Sequence, residues 1–241
     1  MNIFKKIKDI FLDALYPKKI KCIFCENELK SDEPICEECL KSDYFNNGNR
    51  CTKCDLQIKE GNMICDHCKS YFPNFEKAFC PFVYKGNVRT SILKFKSDGA
   101  KYLAKPFAKF MFDKLKENNI NFDIIVPVPS HKDTIKKRGY NPAKLLADEI
   151  AILSGKPVCE AIIKNVKTKN QKFLNFKDRQ ENLIDSMTLV DKNSIKDKVI
   201  LLVDDVLTTG ATLNYCSELL SKAKTIFVTT IARNELKKDK K

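Results

Sequence analysis

The 241-residue sequence predicts an α/β fold, a mostly parallel sheet flanked by helices, with a small cysteine-built module in front of it. Three observations carry that prediction. Apolar runs near 79–84, 123–128, 158–163, 199–203 and 225–231 alternate with stretches of helical spacing, as a parallel sheet with crossover helices requires. Two of these runs end in polar loops that lead directly into helix starts. Eight of the eleven cysteines stand in four Cys-x-x-Cys pairs, all before residue 69.

The run Val199-Ile200-Leu201-Leu202-Val203 has five apolar residues, three of them β-branched, and reads as a buried strand. Asp204 and Asp205 follow, then Thr208, Thr209, Gly210, Ala211 and Thr212. Helical spacing begins at Leu213 and places Leu213, Cys216, Leu219 and Leu220 on one face. Residues 208–212 therefore offer hydroxyls and closely approachable N–H groups at a helix N-terminus, where the dipole favours a phosphate. The two aspartates repel that anion and suit hydroxyl donors, such as those of a sugar. A ligand with a 5-phosphate and free 2,3-hydroxyls fits both halves. No Gly-x-x-x-x-Gly-Lys-Ser/Thr occurs, which excludes a Walker loop. The stretch Asp-Asp-Val-Leu-Thr-Thr-Gly-Ala-Thr resembles the phosphoribosyl pyrophosphate (PRPP) loop of type I phosphoribosyltransferases. An ordinary strand–helix turn with solvated aspartates is the competing reading.

A second strand, 123–128, runs into a basic loop holding Ser130, His131, Lys136, Lys137 and Arg138. Asn141 then caps a helix with Pro142 at its first position and Gly155 near its end. A basic loop between a strand and a capped helix is a second anion site, and pyrophosphate is the anion the first motif leads one to expect. A solvated charge run is the alternative. Between the two loops, 168–171 and 176–182 are polar and charged. They resemble the flap that closes over the ligand in type I phosphoribosyltransferases, with Arg179 as its contributing side chain.

The cysteine pairs are Cys22/Cys25, Cys36/Cys39, Cys51/Cys54 and Cys65/Cys68, and the first two recur 29 residues later as the last two. Two knuckles bring four thiolates together in a tetrahedral site suited to zinc. Two structural zinc ions are expected, paired consecutively within each repeat; interleaved pairing, disulfides and an iron–sulfur cluster are the alternatives. A module this small buries little core, so metal supplies its stability. His67 is expected to be exposed and not a ligand, and Cys80, Cys159 and Cys216 to be small buried hydrophobes.

Net charge is +13, and residues 85–144 hold fourteen Lys or Arg against five Asp or Glu. Such a surplus suits phosphate-rich ligands or nucleic acid. Aromatics stand beside basic residues at Tyr84/Lys85, Lys94/Phe95/Lys96 and Lys101/Tyr102, an interleaving that suits stacked bases over a phosphate track. No window approaches the roughly 20 apolar residues of a transmembrane span, and no secretion signal is visible. A cytoplasmic location is expected. Ile3, Phe4, Ile7, Ile10, Phe11 and Leu15 make an amphipathic face ending at Pro17. Docking of this face onto the rest of the protein is expected, and its Lys5, Lys6 and Lys8 add contact with the inner face of the membrane as a second reading.

An N-terminal helix, a double Cys-x-x-Cys ribbon and a phosphoribosyltransferase domain together resemble the ComF competence-protein family, whose members include relatives named GntX. Segments carrying the likeness are 84–89, 94–96, 126–129, 138–141, Gln171, Arg179 and Asn182. Pro142 departs from it, standing where a glutamine is expected. The resemblance implies a helix over 1–18, a double zinc ribbon over 19–72 and a type I phosphoribosyltransferase fold over 79–241. It further implies Mg²⁺·PRPP or a related ribose phosphate as ligand, and a role in DNA uptake during natural transformation. Single-stranded DNA and DNA-uptake or recombination proteins are the implied partners. The alternative is an active transferase in which Asp204, Asp205 and Arg179 act on PRPP and an unidentified nitrogenous acceptor. The fold also serves regulators that bind PRPP without turnover.

Overall fold

The computed structural model describes residues 21–29, 33–97, 99–164 and 187–235. The predicted helix over 1–18 and the flap with Arg179 lie outside them. The chain divides into two compact units, Met1–Ser42 and Asp43–Lys241. The division falls inside the expected 19–72 ribbon, so each cysteine repeat belongs to a different unit.

The first unit holds Cys22, Cys25, Cys36 and Cys39, a bridge between Lys21 and Glu28, and a short helix α1 (Glu37–Leu40). The second opens with the same arrangement 29 residues on: a bridge between Arg50 and Gln57 and a helix α2 (Asp66–Tyr71). Even the backbone strain repeats. Glu26 (φ 62°) and Asp55 (φ 59°), each following its knuckle's second cysteine, are both left-handed.

A parallel sheet forms the body of the second unit. Its strands are β1 (Lys77–Phe79), β2 (Phe82–Val83), β3 (Ile124–Pro127), β6 (Val199–Leu207) and β7 (Thr225–Arg233), with β4 and β5 described below. The order is β1-β7-β6-β3, and β2 also pairs with β7. β1 and β2 are the predicted 79–84 strand in two pieces. Pro81 has no N–H to give the ladder, and Cys80 N–H donates instead to Asp55 Oδ2 at 2.8 Å.

The structure alters three sequence expectations. The 158–163 run does not complete the sheet. Val158 makes one parallel bridge to Ile125, after which β4 (Ile162–Lys164) pairs antiparallel with β5 (Met187–Leu189). β6 does not stop at Val203. β7 continues beside it to Arg233, so Asp204 pairs with Thr230 and Leu207 with Arg233, and both aspartates lie within the strand. The basic loop is largely a helix, α5 (Lys132–Arg138), capped by His131, whose ring Nδ1 accepts from Asp133 N–H at 3.1 Å.

The other helices are α3 (Gly86–Ser97), α4 (Ala104–Glu117), α6 (Pro142–Ser154) and α7 (Ala211–Leu219). α4 and α6 pack together, and α6 lies on β3 and β6. β6 is buried on both faces, as expected of a central parallel strand. Ile200 and Leu202 join a cluster with Leu213, Cys216 and Leu220 and with the cysteines of the second tetrad. Leu201 and Val203, also fully buried, point the other way. Cys80 and Cys216 are buried as expected, whereas Cys159 is half-buried.

Candidate functional site

All strands of the sheet are parallel, so their C-terminal ends share one edge, where ligands of open α/β sheets bind. Three segments leave from this edge. Residues 208–212 follow β6, 128–131 follow β3, and 84–85 follow β2. Pro127 is in register with Val203, and Val128 N–H donates to Val203 O at 2.9 Å. Ser130 and Asp204 thus emerge from adjacent strands within a few residues of a paired position.

Gly210 caps α7 with a left-handed backbone (φ 83°), which turns the strand sharply into the helix. Ala211 N–H lies 3.4 Å from Thr209 Oγ1. Asp204 and residues 206–213 line a small cavity of about 40 Å³. Small side chains thus surround a helix start, the kind of place where anions bind.

The acid pair has company the sequence did not reveal. Asp205 N–H donates to Asp204 Oδ1 at 2.8 Å. Lys96, reaching from α3, lies 2.7 Å from Asp205 Oδ1. Burial, and then the Asp205 charge, push the Asp204 carboxyl up to about 7, against the pull of Lys96. Lys96 is opposed by burial yet held above the usual lysine range by Asp205 and Asp204. Lys164 also acts on Asp204, while its own burial pushes its pKa down. The site can therefore present one carboxylate held by an ammonium beside a second poised near neutrality, of which Asp204 lines the cavity at the helix start.

The second candidate loop is organised by Asn141. Its Oδ1 accepts from Ala143 N–H at 3.1 Å and from Ser130 Oγ at 3.0 Å, and its Nδ2 donates to Val128 O at 3.0 Å. Pro142 occupies the first helical position, where its missing N–H costs nothing. Lys136 and Lys137 are exposed and Arg138 half-buried. The structure thus puts Ser130 on the same sheet edge as the acid pair, two residues past the last β3–β6 hydrogen bond, while Lys136, Lys137 and Arg138 lie on a separate short helix.

Expected nucleic-acid contacts are partly withdrawn. Phe95 is 0% exposed and packs on Phe107 and Tyr140, and Lys96 is committed to Asp205. Neither is free to meet a base or a phosphate. Tyr102, by contrast, is 70% exposed.

Both cysteine tetrads are assembled consecutively: the four sulfurs of Cys22, Cys25, Cys36 and Cys39 lie within 4.8 Å of one another, as do those of Cys51, Cys54, Cys65 and Cys68. Tetrahedral zinc with Zn–S bonds of about 2.3 Å needs sulfurs about 3.8 Å apart. Cys25–Cys36 and Cys54–Cys65 are both at 3.6 Å. Backbone N–H groups also aim at the sulfurs, from Cys36 to Cys22 at 3.5 Å and from Cys65 to Cys51 at 3.3 Å. Burial opposes the Cys22 thiolate, but such N–H donors bring its pKa down to about 7. The donors fit zinc, with no position left open for a substrate.

His67 corrects the sequence reading. It is half-buried, with Nε2 2.9 Å from Thr209 O and its ring stacked on Tyr71. Its counterpart 29 residues earlier is Glu38, which is exposed. That mismatch between otherwise matching repeats was the available signal. Arg233, also missed, is buried behind the cradle.

The phosphoribosyl transferase domain family matches residues 102–241, and the double zinc ribbon domain family matches residues 11–69. Competence protein F of Haemophilus influenzae is 30% identical over 210 residues, covering 84% of this chain and 91% of the relative. Competence protein ComFC of Bacillus subtilis is 24% identical over 232 residues, covering 88% and 93% respectively. DNA utilization protein YhgH of Escherichia coli K12 is 25% identical over 192 residues, covering 77% and 83%. Among the described residues no helix is long and apolar enough to cross a membrane.

Proposed function

Because the chain belongs to the ComF family of competence proteins, with a phosphoribosyl transferase domain behind a double zinc ribbon, we propose that it binds Mg²⁺·PRPP or a related ribose phosphate and acts in DNA uptake with single-stranded DNA as partner. The observation that carries this reading is the left-handed Gly210 cap directly behind the Asp204–Asp205 pair. The 5-phosphate sits on Thr208, Thr209, Gly210, Ala211 and Thr212. The ribose hydroxyls donate to Asp204 and Asp205. The pyrophosphate meets Ser130 and His131, with Lys136, Lys137 and Arg138 supplying positive potential. Magnesium accompanies the diphosphate, held mainly by ligand oxygens and water. The relatives' names place them in competence and DNA utilization, and the +13 net charge suits a polyanionic partner.

Anisotropy of labelled single-stranded DNA, titrated at two salt concentrations with and without Mg²⁺·PRPP, tests this reading. Salt-sensitive binding that shifts with PRPP is expected, since coupling between two sites is reciprocal. Absence of DNA binding at moderate salt sinks the DNA half. Retained PRPP affinity in a folded Asp204→Asn/Asp205→Asn protein sinks the ribose half.

The intact acid pair and cradle also favour a second reading: transfer of ribose 5-phosphate from PRPP to a nitrogenous acceptor. Pyrophosphate release that depends on an added base separates turnover from binding alone.

A further inference from the structure

The second cysteine tetrad and the phosphate loop are joined by two side chains. Arg233, at the end of β7, is 1% exposed. One guanidinium nitrogen donates to Leu207 O at 2.9 Å, Thr208 O at 2.5 Å and Asn234 O at 2.7 Å, and the other lies 3.6 Å from Cys54 Sγ. His67, between the ligands Cys65 and Cys68, donates from Nε2 to Thr209 O. Three consecutive carbonyls of the cradle, 207 to 209, are therefore held by residues that belong to or touch the metal site.

Charge makes this more than packing. A buried guanidinium needs a counter-ion, yet among the described residues no carboxylate lies within 4.0 Å of Arg233. A divalent cation held by four thiolates has a net charge of about −2. Among the described residues the second tetrad is thus the anion nearest the arginine, and the guanidinium nitrogen not aimed at the sulfur holds the carbonyls of Leu207 and Thr208.

We propose that Arg233 is a positioning residue through which the metal of the second tetrad orders the 207–209 backbone, so that metal occupancy at Cys51/Cys54/Cys65/Cys68 controls the phosphate cradle. Its consequence for ligand affinity rests on the ribose-phosphate reading above; the coupling itself does not.

The test uses the full chain without ligand. Zinc release to a chromophoric chelator is followed alongside hydrogen exchange in peptides covering 204–212, with peptides of α4 as internal reference. Exchange at 204–212 should accelerate at least about ten-fold, relative to the reference, as one of the two ions leaves. Cys39→Ser, which disables the first tetrad, should leave it unchanged. Arg233→Lys should show the fast exchange with both ions still bound, because one ammonium cannot span three carbonyls and a sulfur. Unchanged exchange after both ions leave, or equal acceleration in α4, overturns the proposal. Calorimetric titration of inorganic phosphate into the zinc-loaded chain is the separate check on the anion site; absence of heat there removes the ligand reading, and the exchange data still decide the coupling.

Discussion

Lys96 Nζ lies 2.7 Å from Asp205 Oδ1, and both side chains are mostly shielded from water. The ammonium comes from the last turn of α3 and the carboxylate from β6, so the pair links a helix end to the acid corner of the sheet. Lys96→Met removes the compensation and leaves two adjacent carboxylates. The loss falls between about 1 kcal/mol for an exposed pair and 3–5 for a buried one. We expect roughly 2 kcal/mol by urea unfolding, with most of it regained in Lys96→Met/Asp205→Asn. An additive double variant contradicts the pairing.

Asp204 yields a pH signature. Its ordinary value is 3.8, and burial followed by Asp205 raises it to about 7 in the folded protein. The folded state then holds this proton more tightly than the unfolded one. Its contribution to stability is therefore full below 3.8, is lost as pH rises to about 7, and is flat above. Asp204→Asn abolishes that loss, so its stability relative to the parent should increase from about pH 4 to about pH 8. A difference independent of pH removes the shift.

Gly210 has φ 83°, a conformation that costs a non-glycine residue about 1–2 kcal/mol, although a Cβ meets no closer atom than Leu207 Cδ1 at 3.5 Å. Gly210→Ala should lower stability by that amount. Its phosphate affinity should fall further than stability alone explains, because the strained cap shifts the N–H groups of the cradle. Unchanged phosphate affinity in a folded variant argues against the cradle as anion site.

Of the aromatics expected to meet bases, Tyr102 is exposed at 70%, whereas Phe95 is enclosed. Tyr102→Ala should weaken single-stranded DNA binding by about 1–3 kcal/mol without changing its salt slope, since stacking carries no charge. A reduced slope with unchanged affinity at low salt assigns the contact to the backbone instead.

Asn141→Ala tests the organisation of the second loop. It removes three hydrogen bonds, to Ser130, Val128 and Ala143. A loss of about 1–2 kcal/mol is expected, the upper range for a helix N-cap. Asn141→Asp, which keeps the acceptor and loses the donor to Val128, should lie between parent and alanine variant.

Local patterns were enough to determine much of this protein. Alternating apolar runs marked the buried strands, Asn141-Pro142 and Gly155 marked a helix at both ends, and the 29-residue cysteine repeat marked two tetrads. The acid–cradle motif was legible because strand, acids, glycine and helix start are consecutive in the chain, so its geometry is set by short-range sterics. Tertiary structure alone decided the rest, because it depends on residues brought together across long separations. Lys96 meets Asp205 across 109 positions of sequence, and Arg233 meets Cys54 across 179. Whether β6 stops at Val203 or carries Asp204 into the ladder depends on β7 running alongside it. Desolvation then decided which charges these residues could keep: a lysine beside the acids, and an arginine whose nearest anion among the described residues is a metal-binding sulfur cluster.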